Sequence, residues 1–268
     1  MYEGMTKRSP GRNLGSKRTC IFCGRLPLTT EDVIPTWIHR QLGRRPTTTV
    51  VGSSEKAVER TYANLAYTTK VNAVCARCNN GWMATLEGAT KILLSRMFDE
   101  KLSLQFDDES KLTLASWTMK TALMLQLVHP LRAIPQDVYA DFYKTREPPR
   151  STVIYIARRR MERNPTGGNV VSTDLNLTGA DGSPQTIGNL YGVTFFIQNI
   201  AFQVVGFQMA VASQPNVEFP QEFRPFVQRL WPTGERVIWP PFDQPTLNER
   251  QSIQFTVAPS RIKPGTTI

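Results

Sequence analysis

Apolar residues in the first third of the chain follow a helical period only from Asn80 onward. They recur there at intervals of three and four residues, at Trp82, Met83, Leu86, Ala89, Leu93 and Met97. This period predicts an amphipathic helix. Ahead of it, residues 65–73 are predicted to form a strand and residues 35–42 a short helix, whereas the polar segment 47–56 is predicted to be a loop.

A long apolar segment between Asp107 and His129 predicts the central element of the fold. Asp107, Asp108 and Glu109 favour a helix N-terminus, and Pro130 ends the helix. Its apolar residues cover nearly all sides of a helix, which is typical of a buried core helix; they are Leu112, Leu114, Trp117, Met119, Leu123, Leu125 and Leu127.

The remaining pattern predicts an antiparallel sheet. Gln198 and Asn199 are suited to a tight turn between two strands, and residues 136–144 and 225–230 are predicted to be helical. The proline-rich tail from Trp231 is predicted to be extended. Strands are predicted at 102–106, 153–157, 170–177, 190–197 and 201–207. The fold class is therefore predicted to be α+β, with a central core helix and an antiparallel sheet.

Composition divides the 268 residues into three parts. Residues 1–18 are rich in Gly, Ser, Lys and Arg and are predicted to be a flexible basic arm. Residues 19–98 contain all four cysteines and are predicted to form a small module. Residues 99–268 are predicted to form a larger α+β domain, for which the sequence indicates no catalytic residues.

No apolar run approaches the roughly 18 residues that a membrane span requires. The basic N-terminus is not followed by the apolar region of a secretory signal. These features predict a cytoplasmic protein that does not enter a membrane.

The chain carries an excess of positive charge. Its 32 Lys+Arg outnumber 22 Asp+Glu, which gives a formal net charge of +10. Such a charge attracts polyanions, although many basic clusters are only solvated surfaces. The residues that we expect to contact nucleic acid are Lys17, Arg18, Arg40, Arg44 and Arg45.

The four cysteines form two C-x-x-C pairs. Cys20 and Cys23 make the first pair and Cys75 and Cys78 the second. Two such pairs provide the four thiolates of a closed structural zinc site. A dithiol redox role is the alternative, but neither pair has a thioredoxin-like strand-to-helix context. The sequence therefore predicts one Zn²⁺ bound by all four cysteines.

Three ordered motifs surround these pairs: CIFCG at 20–24, LTTEDVIP at 28–35 and VCARCNNGW at 74–82. Over this first third, the chain resembles the HNH endonuclease family, in the branch with C-x-x-C-G, then Glu-His-x-x-Pro, then C-x-x-C-Asn-Asn. The resemblance implies a zinc-knuckle ββα-metal module with a treble-clef-like fold. It also implies a second divalent ion, Mg²⁺ or Mn²⁺, bound by Glu31 and Asn79, with Asn80 as a further site residue.

Asp32 stands where that family has its general-base histidine. A histidine with a pKa near about 6.5 accepts a proton at neutral pH far better than a carboxylate near about 3.9. Three outcomes are open. Asp32 helps to bind the ion and a metal-bound hydroxide attacks, His39 replaces the missing imidazole, or the module only binds nucleic acid.

The plainer interpretations of these residues also stay open. Glu31 is also consistent with an acid in a helix-capping turn, and Asn79 and Asn80 with caps of the following helix. His39 is consistent with a packing or surface residue, and His129 with a cation at the end of the core helix. The first hypothesis is a metal-dependent endonuclease that hydrolyses DNA, with RNA left open. The second is an inactive, zinc-stabilised nucleic-acid-binding protein, and the third is a protein-interaction role for residues 99–268.

Overall fold

The computed structural model describes residues 18–42, 46–51, 60–65, 69–129, 133–161, 166–178, 184–209, 216–217, 223–248, 251 and 262–263. These residues combine helices and strands, as the α+β prediction requires. The helices are α1 Thr36–Leu42, α2 Ala76–Cys78, α3 Ala84–Met97, α4 Asp108–Val128 and α5 Gln136–Thr145, with a π-helical turn at Asn79–Met83 and a 3-10 turn at Arg224–Phe226. The strands are β1 Leu28–Asp32, β2 Pro46–Val51, β3 Arg60–Leu65, β4 Lys70–Cys75, β5 Leu104–Phe106, β6 Thr152–Arg158, β7 Thr166–Thr178, β8 Pro184–Ile197, β9 Ile200–Met209, β10 Asn216–Val217, β11 Val227–Trp231, β12 Val237–Trp239 and β13 Ile262–Lys263.

The largest sheet has five antiparallel strands in the order β11–β6–β9–β8–β7. Successive side chains of a strand point to opposite faces of the sheet. Where other parts of the chain cover both faces, the side chains on both faces are apolar. Phe195 and Phe202 stack on the face that meets α4, with ring centroids 5.0 Å apart. Phe196 and Ala201 belong to a second buried cluster.

Helix α4 is the predicted core helix and is confirmed. Asp107 caps it, since its carboxylate accepts a hydrogen bond from the Ser110 backbone N–H at 2.8 Å. Trp117 is fully buried and packs edge-on against Phe202 of the sheet. Besides the apolar residues that the sequence predicts on nearly all sides, α4 also buries polar side chains, and Lys120 is one of them.

The predicted turn at Gln198 and Asn199 is confirmed, because β8 and β9 pair up to Ile197 and Ile200 on either side of it. Gln198 has a φ of 53°, in the left-handed region. A turn with a positive φ at its first central residue favours glycine there. We expect Gln198→Gly to raise the free energy of unfolding by about 0.5 kcal/mol, because removing the Cβ strain outweighs the added freedom of the unfolded chain.

Urea unfolding checks this expectation. Gln208→Gly in strand β9 is the control, and should instead lower stability by roughly 1 kcal/mol, because it gains no relief of strain there. Equal losses of unfolding free energy in the two variants would contradict the turn assignment.

The N-terminal part is built on the antiparallel pair β1–β4, with Leu28 opposite Cys75. Strand β4 leads directly into α2, the π-helical turn and α3, so the predicted helix near Asn80 is confirmed and begins earlier, at Ala76. Buried residues of this part and of the larger part form one continuous apolar cluster. The boundary at residue 98 stays a prediction.

Two local predictions are wrong. Segment 47–56 was predicted to be a loop, yet its described residues belong to β2, which pairs with β3. Its sequence PTTTVV is polar but rich in β-branched residues, which favour strands. Residues 225–230 were predicted to be helical, but only Arg224–Phe226 forms a 3-10 turn, and Val227–Trp231 is the edge strand β11.

None of the helices that the structure describes has the length and apolar character needed to cross a bilayer.

Candidate metal centre and its surroundings

The two cysteine pairs lie on separate turns that the β1–β4 pair brings together. Cys20 and Cys23 precede β1, in a turn closed by the Gly24 N–H, which donates to the Cys20 carbonyl at 2.8 Å. Gly24 has a φ of +71°, which a glycine adopts without strain. The second pair spans the end of β4 and helix α2, from Cys75 to Cys78.

The four Sγ atoms converge to within 4.8 Å of one another. Cys20 and Cys78 are 3.8 Å apart, and Cys23 lies 3.5 Å from both Cys75 and Cys78. Four thiolates at about 2.3 Å from a tetrahedral zinc ion are separated by about 3.8 Å, whereas a disulfide requires about 2.05 Å. The geometry therefore fits a metal ion such as zinc, and the cysteines are free of disulfides.

The electrostatics of this cluster also favour a cation. Burial raises the pKa of the Cys78 thiol and that of Cys23. Burial acts in the same direction on Cys75, but hydrogen bonds from the Cys78 backbone N–H and from neighbouring thiols outweigh it and lower its pKa to about 7. Several thiolates at this spacing repel one another, and a dication offsets that repulsion when it binds.

Aromatic residues attach the cysteine cluster to helix α5. Phe22, between the first two cysteines, packs edge-on against Trp82 with ring centroids 5.2 Å apart. Trp82 in turn packs against Phe142 of α5 at 5.7 Å. Gln136 donates from Nε2 to the Ile21 carbonyl at 3.1 Å. The first cysteine turn is thus held against the larger part of the chain.

Glu31 lies on β1 and is buried against helix α4. Its Oε1 accepts a hydrogen bond from Lys120 Nζ at 3.1 Å, and the same ammonium lies 2.5 Å from Glu87 Oε1. The Lys120 side chain has no solvent exposure. Burial raises the pKa of the Glu31 carboxyl, partly opposed by Lys120 and reinforced by Glu87.

This arrangement gives the Glu31 carboxylate an ammonium group where the resemblance implies a divalent ion. A lysine Nζ that ion-pairs with Oε1 competes with a metal for the same oxygen. The residues present thus do not fit a divalent ion at Glu31, and that role stays a prediction. The sequence pattern did not predict a role for Lys120. Its one sequence signal is that it is a lone charged residue inside the apolar helix segment.

Asp32 follows at the end of β1 and is partly exposed. Its Oδ2 accepts a hydrogen bond from the Thr36 hydroxyl at 2.7 Å, and its Oδ1 lies 3.6 Å from Lys70 Nζ. The first contact ties β1 to the start of α1. The side chain of His39 lies outside the described residues, so its proposed role as a replacement base stays a prediction.

Asn79 joins the second cysteine turn to β1. Its Nδ2 donates to the Thr29 hydroxyl at 3.2 Å and to the Thr30 carbonyl at 3.3 Å. Asn80 is exposed. The helical segment begins at Ala76 with Cys75 in the N-cap position, so both asparagines lie beyond that cap. His129 is a buried C-cap residue of α4.

Of the predicted nucleic-acid contacts, the structure describes Arg18 and Arg40, and both are exposed. Lys17, Arg44 and Arg45 lie outside the described residues. Arg18 and Lys70 line a groove of about 930 Å³ between the first cysteine turn, β4 and the facing ends of α4 and α5. No Asp or Glu is among the described residues that line this groove.

In comparisons with known proteins, no family model, no curated protein and no solved structure matches this chain.

Proposed function

We propose that this chain is a zinc-stabilised nucleic-acid-binding protein whose N-terminal part is an HNH-like ββα module without hydrolytic activity. The observation that carries the proposal is the Lys120 ammonium against Glu31 Oε1, at 3.1 Å. In an active module of this type, the corresponding carboxylate binds a dication that meets the scissile phosphate. Here the carboxylate is buried and already paired with an ammonium group that it shares with Glu87.

Asp32 supports the same conclusion. General-base catalysis is typically worth about 10²- to 10⁴-fold, and a carboxylate is a weak base for water at neutral pH. Both Asp32 oxygens have partners, Thr36 and Lys70. The residue that replaces the motif histidine is therefore engaged in local structure.

The groove beside the cysteine cluster supports nucleic acid as the partner. Its walls carry the cations Arg18, two residues before Cys20, and Lys70, which belongs to strand β4. Lys70 leaves 58% of its side chain exposed despite its contact with Asp32. Cations spaced along a groove neutralise phosphates and release counterions, which produces salt-dependent binding.

We expect the double variant Arg18→Gln/Lys70→Gln to bind short duplex DNA about tenfold more weakly than wild type at low salt. The slope of log affinity against log salt should fall by about two, because each lost phosphate contact contributes about one. Fluorescence anisotropy over a salt series measures both quantities, with DNA and RNA duplexes compared side by side.

Lys144→Gln is the matched control, because Lys144 is an exposed lysine of α5 that does not line the groove. It should lower the affinity by less than about twofold. An unchanged affinity and slope in the double variant would show that the groove is not the binding surface.

Hydrolysis of DNA by a metal-dependent endonuclease is the second candidate, and the order of the three sequence motifs favours it. Incubating the protein with supercoiled plasmid and Mg²⁺ or Mn²⁺ distinguishes the two candidate functions. The proposal expects no nicking by wild type or by Asp32→His, because the Lys120 ammonium still pairs with Glu31 Oε1. Nicking by wild type that disappears in Glu31→Gln would instead establish the endonuclease.

A further inference from the structure

Cys23 differs from the other three cysteines of the cluster in its exposure to solvent. The other three are buried, whereas Cys23 is partly exposed. The four residues that follow it, 24–27, are all exposed. A Cβ placed on Gly24 would meet no atom of the described chain within 4 Å. A small solute therefore reaches the Cys23 sulfur more readily than the other three sulfur atoms.

Cys23 also lies beside both cysteines of the other turn. Its Sγ is 3.5 Å from the Sγ of Cys75 and 3.5 Å from that of Cys78. The Ile21 N–H, which donates to the Ala73 carbonyl at 2.9 Å, ties the first turn to the strand that leads into the second. A disulfide requires an S–S distance of about 2.05 Å, so the sulfur atoms need to approach by only about 1.5 Å.

Accessible thiolates that have a second thiol in reach are the cysteines that hydroperoxides convert to disulfides. A zinc ion keeps its cysteine ligands deprotonated, so Cys23 is a thiolate while the ion is bound, although burial raises the pKa of the free thiol. Cys23 thus combines an accessible sulfur, a thiolate and two neighbouring thiols. The three buried cysteines lack the first of these features.

We propose that Cys23 is an oxidative modification site, at which a hydroperoxide triggers a disulfide between the two cysteine turns and the loss of zinc. With hydrogen peroxide, the Cys23 thiolate attacks the O–O bond. An S–O bond forms, the O–O bond breaks and hydroxide leaves, which gives a sulfenic acid.

The thiolate of Cys75 or Cys78 then attacks Cys23 Sγ. An S–S bond forms, the S–O bond breaks and a second hydroxide leaves. Two thiolates lose two electrons, and these reduce one peroxide to two hydroxides. Only two of the four sulfur ligands then remain, which no longer complete a tetrahedral site. This inference does not depend on the binding of nucleic acid.

The test treats the zinc-loaded full chain, kept reduced until use, with hydrogen peroxide. A chromophoric zinc chelator measures the release of the metal. We expect about one zinc ion to be released for each peroxide consumed, and a dithiol reductant to restore zinc binding. Zinc that stays bound under excess peroxide would overturn the proposal.

Trypsin identifies the disulfide, because cleavage after lysine and arginine distributes the four cysteines over three peptides. Residues 19–25 contain Cys20 and Cys23, residues 71–77 contain Cys75, and residues 78–91 contain Cys78. We expect mass spectrometry to find the first peptide linked to one of the other two. With dimedone present as a sulfenic acid trap, the adduct should lie on Cys23. A disulfide within the first peptide, or an adduct on another cysteine, would overturn the proposal.

Cys23→His replaces the accessible sulfur by an imidazole, which is also a zinc ligand. Peroxide should release zinc from this variant at least about tenfold more slowly than from wild type, because the remaining sulfur atoms are buried. Met161→Leu is the matched control, since it removes an exposed, oxidisable sulfur outside the cluster, and should release zinc at the wild-type rate. Equal release rates in wild type and Cys23→His would contradict the assignment of Cys23.

Discussion

Replacing Cys75 by serine is expected to reduce bound zinc from about one ion per chain to nearly none, and to unfold the N-terminal part of the molecule. Structural zinc sites in small finger peptides contribute apparent free energies of about 10–16 kcal/mol, as much as the whole stability of a typical domain. The four sulfur atoms lie within 4.8 Å of one another, so one missing ligand opens the whole site. Elemental analysis gives the zinc content, and thermal unfolding gives the loss of structure.

Cys23→His is the matched control for this prediction. Cys23 is the one cysteine of the four that is not fully buried, so its position has room for an imidazole. Three cysteines and one histidine form a common structural zinc set. The variant should keep most of its zinc. Full zinc content and an unchanged unfolding temperature in Cys75→Ser would contradict the metal centre.

Replacing Lys120 by methionine is expected to lower the free energy of unfolding by about 3–5 kcal/mol. The change leaves Glu31 buried without its cation, and removing one partner of a buried ion pair costs about this much. The Glu31 side chain is 10% exposed and that of Glu87 is 21% exposed, so water replaces the ammonium only in part. Urea unfolding at neutral pH measures the difference.

The double variant Lys120→Met/Glu31→Gln should recover part of this loss, because it removes the uncompensated carboxylate. Lys144→Met makes the same lysine-to-methionine change at an exposed position, and should change the free energy of unfolding by less than about 0.5 kcal/mol. A loss of under 1 kcal/mol of unfolding free energy in Lys120→Met would show that the ammonium does not form a stabilising ion pair with Glu31. Glu31 would then be available to bind a divalent ion.

Periodicity predicted the elements whose environment is uniform. Helix α4 carries apolar residues on nearly all sides because sheet strands and helix α3 surround it, and its sequence shows this directly. The turn at Gln198 and Asn199 could also be predicted, because two segments of alternating apolar and polar residues flank these two polar residues. The sequence pattern did not predict strand β2, because its threonines are polar and resemble a loop, although β-branched residues favour a strand.

The sequence predicts the candidate site only where it is formed by residues that lie close together along the chain. Each C-x-x-C pair is local, and two pairs in one chain suffice to predict that they converge. The contact between Lys120 and Glu31 joins positions 89 residues apart, and only the packing of α4 against β1 and α3 creates it. A single sequence gives no signal for such a pair.

Lys120 also shows why a motif alone does not determine a site's chemistry. The segments around Glu31 and Asn79 resemble a metal-binding motif in their order, and Asn79 donates hydrogen bonds to residues of β1. Yet burial and a lysine supplied from outside the motif both act on the charge of the Glu31 carboxyl. Whether a cation at that carboxylate is a metal or an ammonium depends on the larger part of the chain.

The proposed structure and function of the N-terminal part depend on one metal ion that joins two cysteine turns. X-ray absorption at the zinc edge, on protein purified without added metal, tests this most directly. We expect one zinc per chain with four sulfur neighbours at about 2.3 Å. Protein that lacks zinc and whose cysteines pair as disulfides, or zinc surrounded mainly by oxygen and nitrogen, would contradict it.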